Sequence, residues 1–226
     1  AYYLRTKGYP VTVFEKEAAP GGMLRYGIPS FRLEKNVIDA EIDVIRQMGA
    51  EFRCGVEVGK DVTLDELRRQ GYKAFFVAIG LQGGRTAGVP GENAAGVETG
   101  IDFLRRMNVD DTQKLTGRTV VIGGGNVAVD VARTALRAGS EAVTMLCLEG
   151  ENEMPAARDE VAEAKHEGIT VQNGWGPKEI LTDNGKVTGV VFKKCVRVLD
   201  ENHRFAPQYD ENDTITVPCE NVLTAI

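Results

Sequence analysis

The run Gly123-Gly124-Gly125-Asn126-Val127-Ala128 fits the pattern G-x-G-x-x-A. The chemistry open to such a run is the binding of a dinucleotide pyrophosphate. Gly123 permits a tight turn, Gly125 lets the backbone approach the phosphates, and Ala128 is small enough for a helix to pack closely on a strand. Alone the pattern is a weak signal. Here it lies between "TVVI" and "VAVDVARTALRAG", the strand–turn–helix context that the mechanism needs. The helix N-terminus would offer free N–H groups and a partial positive charge to the phosphates. Such a site also needs an acidic residue at the end of the next strand, roughly 20 positions on, to hold the adenosine ribose. Glu149 stands there, after "VTMLCL". A bare 2′-hydroxyl suits it, whereas a 2′-phosphate would meet a like charge. No Arg or Lys lies between Arg137 and Arg158 to receive that phosphate. These residues favour NAD(H) over NADP(H). The plainer readings are a glycine turn without a ligand and a solvated loop carboxylate at Glu149.

Elements must position these residues, and their patterns are legible. From about Gly117, "RTVVIGG" reads as a buried strand. The next helix carries an inner stripe of Ala128, Val131, Ala132, Ala135 and Leu136 and is closed by Gly139. "EAVTMLCLE" is a strand, "ARDEVAEAKHEG" a helix and "ITVQN" a strand. "KVTGVVFKKCVRVL" and "DTITVPC" read as an antiparallel meander, and "NVLTAI" as a last buried strand. The N-terminal part repeats the plan less completely. A helix tail at Ala1–Lys7 precedes a strand from Val11 that ends in Glu15, again placed to hold a ribose. A Pro- and Gly-rich loop, "APGGMLRYGIPSF", follows. An amphipathic helix runs from about Glu34 to Met48, with Ile38, Ile42 and Ile45 at helical spacing. Short strands fall within Glu51–Val58, and Thr63 can cap a helix that Gly71 stops. "AFFVAIG" reads as a fully apolar strand of a sheet covered on both faces, and "LQGGRTAGVPGENAAG" as a connection. The glycine turn that should precede Glu15 by roughly 20 residues is not in the sequence, which begins at Ala1 without an initiator Met and reads as a fragment.

The fold class expected is α/β. Two Rossmann-like, three-layer (ββα) nucleotide-binding units are arranged as in glutathione-reductase-like proteins. The N-terminal nucleotide unit, truncated at both ends, takes 1–112 with 221–226 returning to it. The NAD(P) unit, 113–220, is inserted in it. Without its first strand, the N-terminal unit would leave "VTVF" and "FFVAI" with unpaired edges. That favours self-association through those edges and weak or absent binding of that unit's own dinucleotide.

Composition sets outer bounds. The 226 residues are 42% hydrophobic and 27% charged, as in globular proteins, and the net charge of −6 argues against nucleic acid as a partner. No apolar run approaches the roughly 20 residues that span a bilayer, and no signal peptide pattern is present, so a membrane partner is not expected. Cys54, Cys147, Cys195 and Cys219 form no C-x-x-C pair, and His166 and His203 do not add metal-ligand spacing. The expectation is free thiols in a reducing cytoplasm, with no dithiol, iron–sulfur or metal centre of the chain's own. Trp175 reads as core or domain-interface filler rather than a nicotinamide platform. No side chain reads as a general acid or base. None is needed for hydride transfer, which is the cofactors' chemistry.

Beyond these patterns, "GYPVTVFEKEAAPGGMLRYGIPSFRLEK", "VVIGGGNVAVDVARTALRAG" and "EMPAARDEVAEAKHEGI" resemble the glutamate synthase small-subunit family, which includes the flavin domains of dihydropyrimidine dehydrogenase. The resemblance implies FAD contacts at Glu15, Gly21, Gly22 and Met23, at Arg32 in "SFRL", and at the strand end Ala78-Ile79-Gly80. It implies nicotinamide-cofactor contacts at Gly125, Asn126 and Val127. NADPH-using members carry basic residues where this sequence has Leu148 and Glu149. Electrons in such a family pass from the nicotinamide cofactor to FAD, then to iron–sulfur clusters in another segment or to a large catalytic subunit. Two other readings remain. A thioredoxin-reductase-like or other NADH:acceptor flavoprotein would, in the first case, need the cysteine pair that is missing. A non-catalytic nucleotide-binding or assembly module would need neither.

Overall fold

A computed structural model describes residues 1–226. The chain divides into two compact units, Ala1–Gln82 and Gly83–Ile226. The first contains α1 (Tyr2–Thr6), β1 (Thr12–Glu15), α2 (Gly22–Tyr26), α3 (Lys35–Gln47), β2 (Glu51–Cys54) and α4 (Leu64–Arg69). Strands β1 and β2 pair in parallel from Thr12↔Glu51 to Glu15↔Cys54, with α3 as the crossover. The isoleucine stripe of α3 faces inward: Ile38 is buried and Ile42 and Ile45 are half-buried. Thr63 and Glu66 cap α4 reciprocally, each side chain accepting the other's backbone N–H.

Two features of this unit differ from expectation. The Pro- and Gly-rich loop contains α2, which Gly21 opens at φ 134°. Buried Tyr26 then ties the helix back, its hydroxyl accepting from Ala19 N–H at 3.2 Å and donating to Ala19 C=O at 3.0 Å. The apolar run 74–80 forms no strand. Phe76 is 91% and Ile79 81% exposed. A strand exists only where a neighbour satisfies its backbone. The sheet of this unit holds β1 and β2 alone, and 74–80 pairs with neither of them.

The second unit contains β3 (Val97–Thr99), α5 (Gly100–Val109), β4 (Arg118–Ile122), α6 (Asn126–Arg137), β5 (Ala142–Cys147), α7 (Arg158–His166), β6 (Thr170–Asn173), β7 (Trp175–Asp183), β8 (Lys186–Leu199), β9 (Phe205–Pro218) and β10 (Asn221–Thr224). A five-stranded sheet has the order β3-β10-β4-β5-β6, parallel throughout. Side chains alternate across it. Val121, Met145 and Leu223 pack with Phe103 of α5, with Val131 and Ala135 of α6, and with Ala164 of α7. Val120, Ile122, Leu146 and Val222 pack on the other face against Ile180, Val190 and Phe192 of the antiparallel sheet β7-β8-β9. The result is the three-layer ββα architecture expected. No helix is long and apolar enough to cross a membrane.

Here too the differences have physical reasons. Asn221–Thr224, expected to return to the unit 1–112, pairs on one edge with β3, within that range, and on the other with β4. Val222 is fully buried and Leu223 is 2% exposed, as suits a strand paired on both edges and covered on both faces. Helix α5 falls in a stretch where no element is expected from the pattern. Its signals are present: Thr99 caps Asp102 N–H at 3.2 Å, and Phe103, Leu104 and Met107 form one buried face. Strand β7 and the first half of β9 extend the meander beyond the segments expected.

Helices α6 and α7 are clamped by charge. Arg133, with a side chain only 10% exposed, donates to Glu167 at 2.6 Å and to Glu163 at 2.8 Å, and Arg137 donates to Glu167 at 2.8 Å. The bonds from Arg137 and Arg133 hold the Glu167 carboxyl below its ordinary range, against the opposing effect of burial. A carboxyl whose folded pKa is depressed stabilises the fold fully above its unfolded value, roughly 4.3, and loses that contribution as pH falls through the folded value. Glu167→Gln is therefore expected to cost about 1–2 kcal/mol in urea denaturation at pH 7. The gap to the unmodified chain should shrink when the pair is compared at pH 3.

Candidate dinucleotide-binding site

Strand β4 delivers the chain into the glycine turn with every residue after Arg118 buried, and α6 leaves it at Asn126. The three glycines differ in what demands them. Gly123 has φ 146°, and a Cβ there would run into the carbonyl group of Ala225. At Gly124 a Cβ would lie 2.8 Å from a carboxylate oxygen of Glu149 and 2.9 Å from Cys147 Cβ. Nothing in the protein requires Gly125. Its φ of −92° and ψ of 175° are open to any residue, and a Cβ would meet no atom within 4 Å. The space in front of Gly125 is therefore a cradle that a side chain would fill.

That space faces the start of α6, which has no side-chain cap and no acidic residue in its first turn. Its first N–H groups have no partner within the helix and carry the positive end of the dipole. An anion placed there would find both. Asn126 and Val127 are exposed at this end, while Ala128 is buried against the strand, its Cβ 3.3 Å from where a Gly123 Cβ would be. Asn126 also reaches across the turn, where its Oδ1 accepts the Ala157 N–H at 2.8 Å. With the bond from Ala156 N–H to Gly124 C=O at 3.1 Å, this straps the segment before α7 over the glycines.

Glu149 lies two residues past β5, half-buried, with its carboxylate beside Gly124. Its backbone carbonyl is pinned from the next strand end by Gly174 N–H and by the Asn173 side-chain amide, each at 3.1 Å. Burial, then the neighbouring Glu149 charge, push the Cys147 thiol up to about 12. It is a neutral, inert neighbour. Leu148 points the other way, toward Gly176 and the meander. Trp175 packs on the cluster of Leu146 and Phe192, and Lys194 lies over its ring at 4.6 Å. It is core filler.

The fold thus gathers Gly123–Ala128 and Glu149 at one end of the parallel sheet. A model of the pyridine nucleotide-disulphide oxidoreductases matches residues 1–222. The chain belongs to this family. Among curated relatives, the NAD-dependent dihydropyrimidine dehydrogenase subunit PreT of Escherichia coli O157:H7 is 40% identical over 82% of this chain and 44% of its own length. The glutamate synthase [NADPH] small chain of Halomonas elongata is 35% identical over 96% of this chain and 48% of its own length. The resemblance read from the sequence holds. The chain spans under half the length of each of these relatives. In fold, this member of the oxidoreductases resembles Mycobacterium tuberculosis FprA in complex with NADPH, with a TM-score of 0.82 and 20% identity over 96% of this chain and 63% of that one.

The residues assigned to FAD are less assembled. Glu15 stands at the end of β1, half-buried, and one carboxylate oxygen accepts Glu17 N–H at 3.0 Å. Gly21 and Gly22 open α2 at positive φ, and Met23 lies over Gly27, so the fold itself accounts for this loop. Arg32 is exposed in the turn before α3. Ala78, Ile79 and Gly80 lie in the unpaired run, and Gly80 has open space around it.

Asn173 and the Ala156–Ala157 strap escape a reading of the sequence. Asn173 leaves no distinguishing trace, since it ends a strand, Thr170–Asn173, that is already mostly polar. The strap leaves none, because Asn126 and Ala157 meet only through the fold.

Proposed function

We propose that this chain binds a nicotinamide dinucleotide on the Gly123–Ala128 turn, NADH in preference to NADPH, as the pyridine-nucleotide half of a flavin-dependent oxidoreductase. The observation that carries the reading is Gly125, a glycine that neither backbone geometry nor packing requires, facing the uncapped start of α6. Gly125, Asn126 and Val127 would present N–H groups to the pyrophosphate. Glu149 would accept hydrogen bonds from the adenosine ribose, and Ala128 lets α6 approach the sheet. The bound dinucleotide supplies the hydride for a flavin. The protein's contribution is placement and the electrostatics of the turn, so no general acid or base is assigned.

The preference for NADH rests on Glu149 and Leu148 where cations would be needed for a 2′-phosphate. Relatives named for NAD and for NADPH are both similar to this chain in sequence. The iron–sulfur segment or large catalytic subunit is the acceptor proposed for the longer protein, in line with relatives named as a subunit and a small chain. For residues 1–226 taken alone, the exposed run 74–80 favours a second description: a dinucleotide-binding module with little FAD and little turnover, prone to associate through unpaired strand edges. Amide hydrogen exchange tests the site itself. Addition of NADH should slow exchange at Gly125–Ala128 and around Glu149, and leave 74–80 unchanged. Protection confined to other elements would refute the assignment.

A further inference from the structure

Strands β5 and β6 pair in parallel up to Cys147↔Asn173. Past that point the ladder ends, and Leu148 and Glu149 would be free to move. They are instead held from β6. The Asn173 amide donates to Glu149 C=O at 3.1 Å and lies 3.3 Å from Cys147 Sγ, and Gly174 N–H donates to the same Glu149 carbonyl at 3.1 Å. Through these bonds the end of β6 fixes the backbone from which the Glu149 side chain reaches Gly124. A carboxylate that accepts from both hydroxyls of a ribose must meet two short contacts at once. A small displacement of its Cα forfeits at least one. The same displacement moves its charge away from any 2′-phosphate and relaxes the repulsion.

We propose that Asn173 is a specificity-determining positioning residue, which sets the choice between a 2′-hydroxyl and a 2′-phosphate dinucleotide by fixing Glu149. The inference rests on the dinucleotide reading above. The Asn173 side-chain amide bonds to Glu149 C=O and Cys147 Sγ, so removing it leaves the backbone pairing of β5 and β6 intact.

Asn173→Leu keeps the approximate volume and deletes the donors, and Asn173→Ala serves if the leucine does not fold. Kd values for NADH and NADPH are measured by calorimetry on the unmodified chain, on these variants and on Gly125→Val. In the Asn173 variants NADH binding should weaken about tenfold while NADPH changes by less than about twofold, so the NADPH-to-NADH ratio of Kd contracts about tenfold. A purely structural role would lower the thermal midpoint or weaken both ligands alike. An unchanged ratio in a folded variant overturns the role of Asn173. If Gly125→Val still abolishes binding in the same series, the site itself stands. No NADH binding by the unmodified chain overturns both.

Discussion

Gly125→Val is expected to weaken NADH binding about a hundredfold or more while the chain stays folded. The two parts of this result come from different observations. The fold tolerates the change because Gly125 is already extended, at φ −92° and ψ 175°, and its Cβ would meet no protein atom within 4 Å. Valine is a poorer residue than glycine at a helix start, which costs about 1 kcal/mol. Binding does not tolerate it, because the isopropyl group would stand where the pyrophosphate approaches the first N–H groups of α6. Each hydrogen bond to a charged group contributes about 1.5–3 kcal/mol, and losing one or two gives the stated factor. Gly123→Val is the contrasting control. Its φ of 146° and the Ala225 carbonyl in its path should make that variant unfold or misassemble. Circular dichroism with calorimetry separates the two cases. A Gly125→Val chain that binds NADH normally would place the cofactor elsewhere.

Leu148→Arg with Glu149→Arg should reverse the cofactor preference. A carboxylate about 4 Å from a 2′-phosphate is disfavoured by up to about 4 kcal/mol per pair of charges at an effective dielectric of 20, and by less in salt. Replacing it with guanidinium groups turns that repulsion into bidentate attraction. The double variant should bind NADPH at least about tenfold more tightly than the unmodified chain does, and NADH more weakly for want of a ribose acceptor. Leu148 contacts the Gly176 region, so Glu149→Arg alone keeps the test open if the double variant loses stability. Equal affinity for both dinucleotides before and after would remove Glu149 from the site.

The parts of this molecule that are legible in its sequence are those whose signals are local. The "RTVVIGGGNVAVDV" stretch carries strand, turn and helix in immediate succession, and Glu149 follows at the end of the next strand, so one half of the site can be read residue by residue. Helix α5 has equally local signals, its Thr99 cap and its Phe103, Leu104 and Met107 face, but they sit beside a glycine-rich loop that obscures them. Other features depend on partners that no local pattern names. "NVLTAI" announces a buried strand but not its sheet, and only the pairing with β3 and β4 assigns it. "AFFVAIG" has strand composition, yet it pairs with neither β1 nor β2 and stays exposed. The bonds of Asn173 to Glu149 and of Asn126 to Ala157 join residues far apart in the chain, and neither spacing nor periodicity reports them.

If residues 1–226 hold a nicotinamide dinucleotide at the Gly123–Ala128 turn through its pyrophosphate, with Glu149 choosing NADH, then calorimetric titration of the unmodified chain with NADH and with NADPH is the most direct check. Saturable binding of about one NADH per chain is expected, with NADPH binding at least about tenfold more weakly. No binding of either dinucleotide, or tighter binding of NADPH, would contradict it.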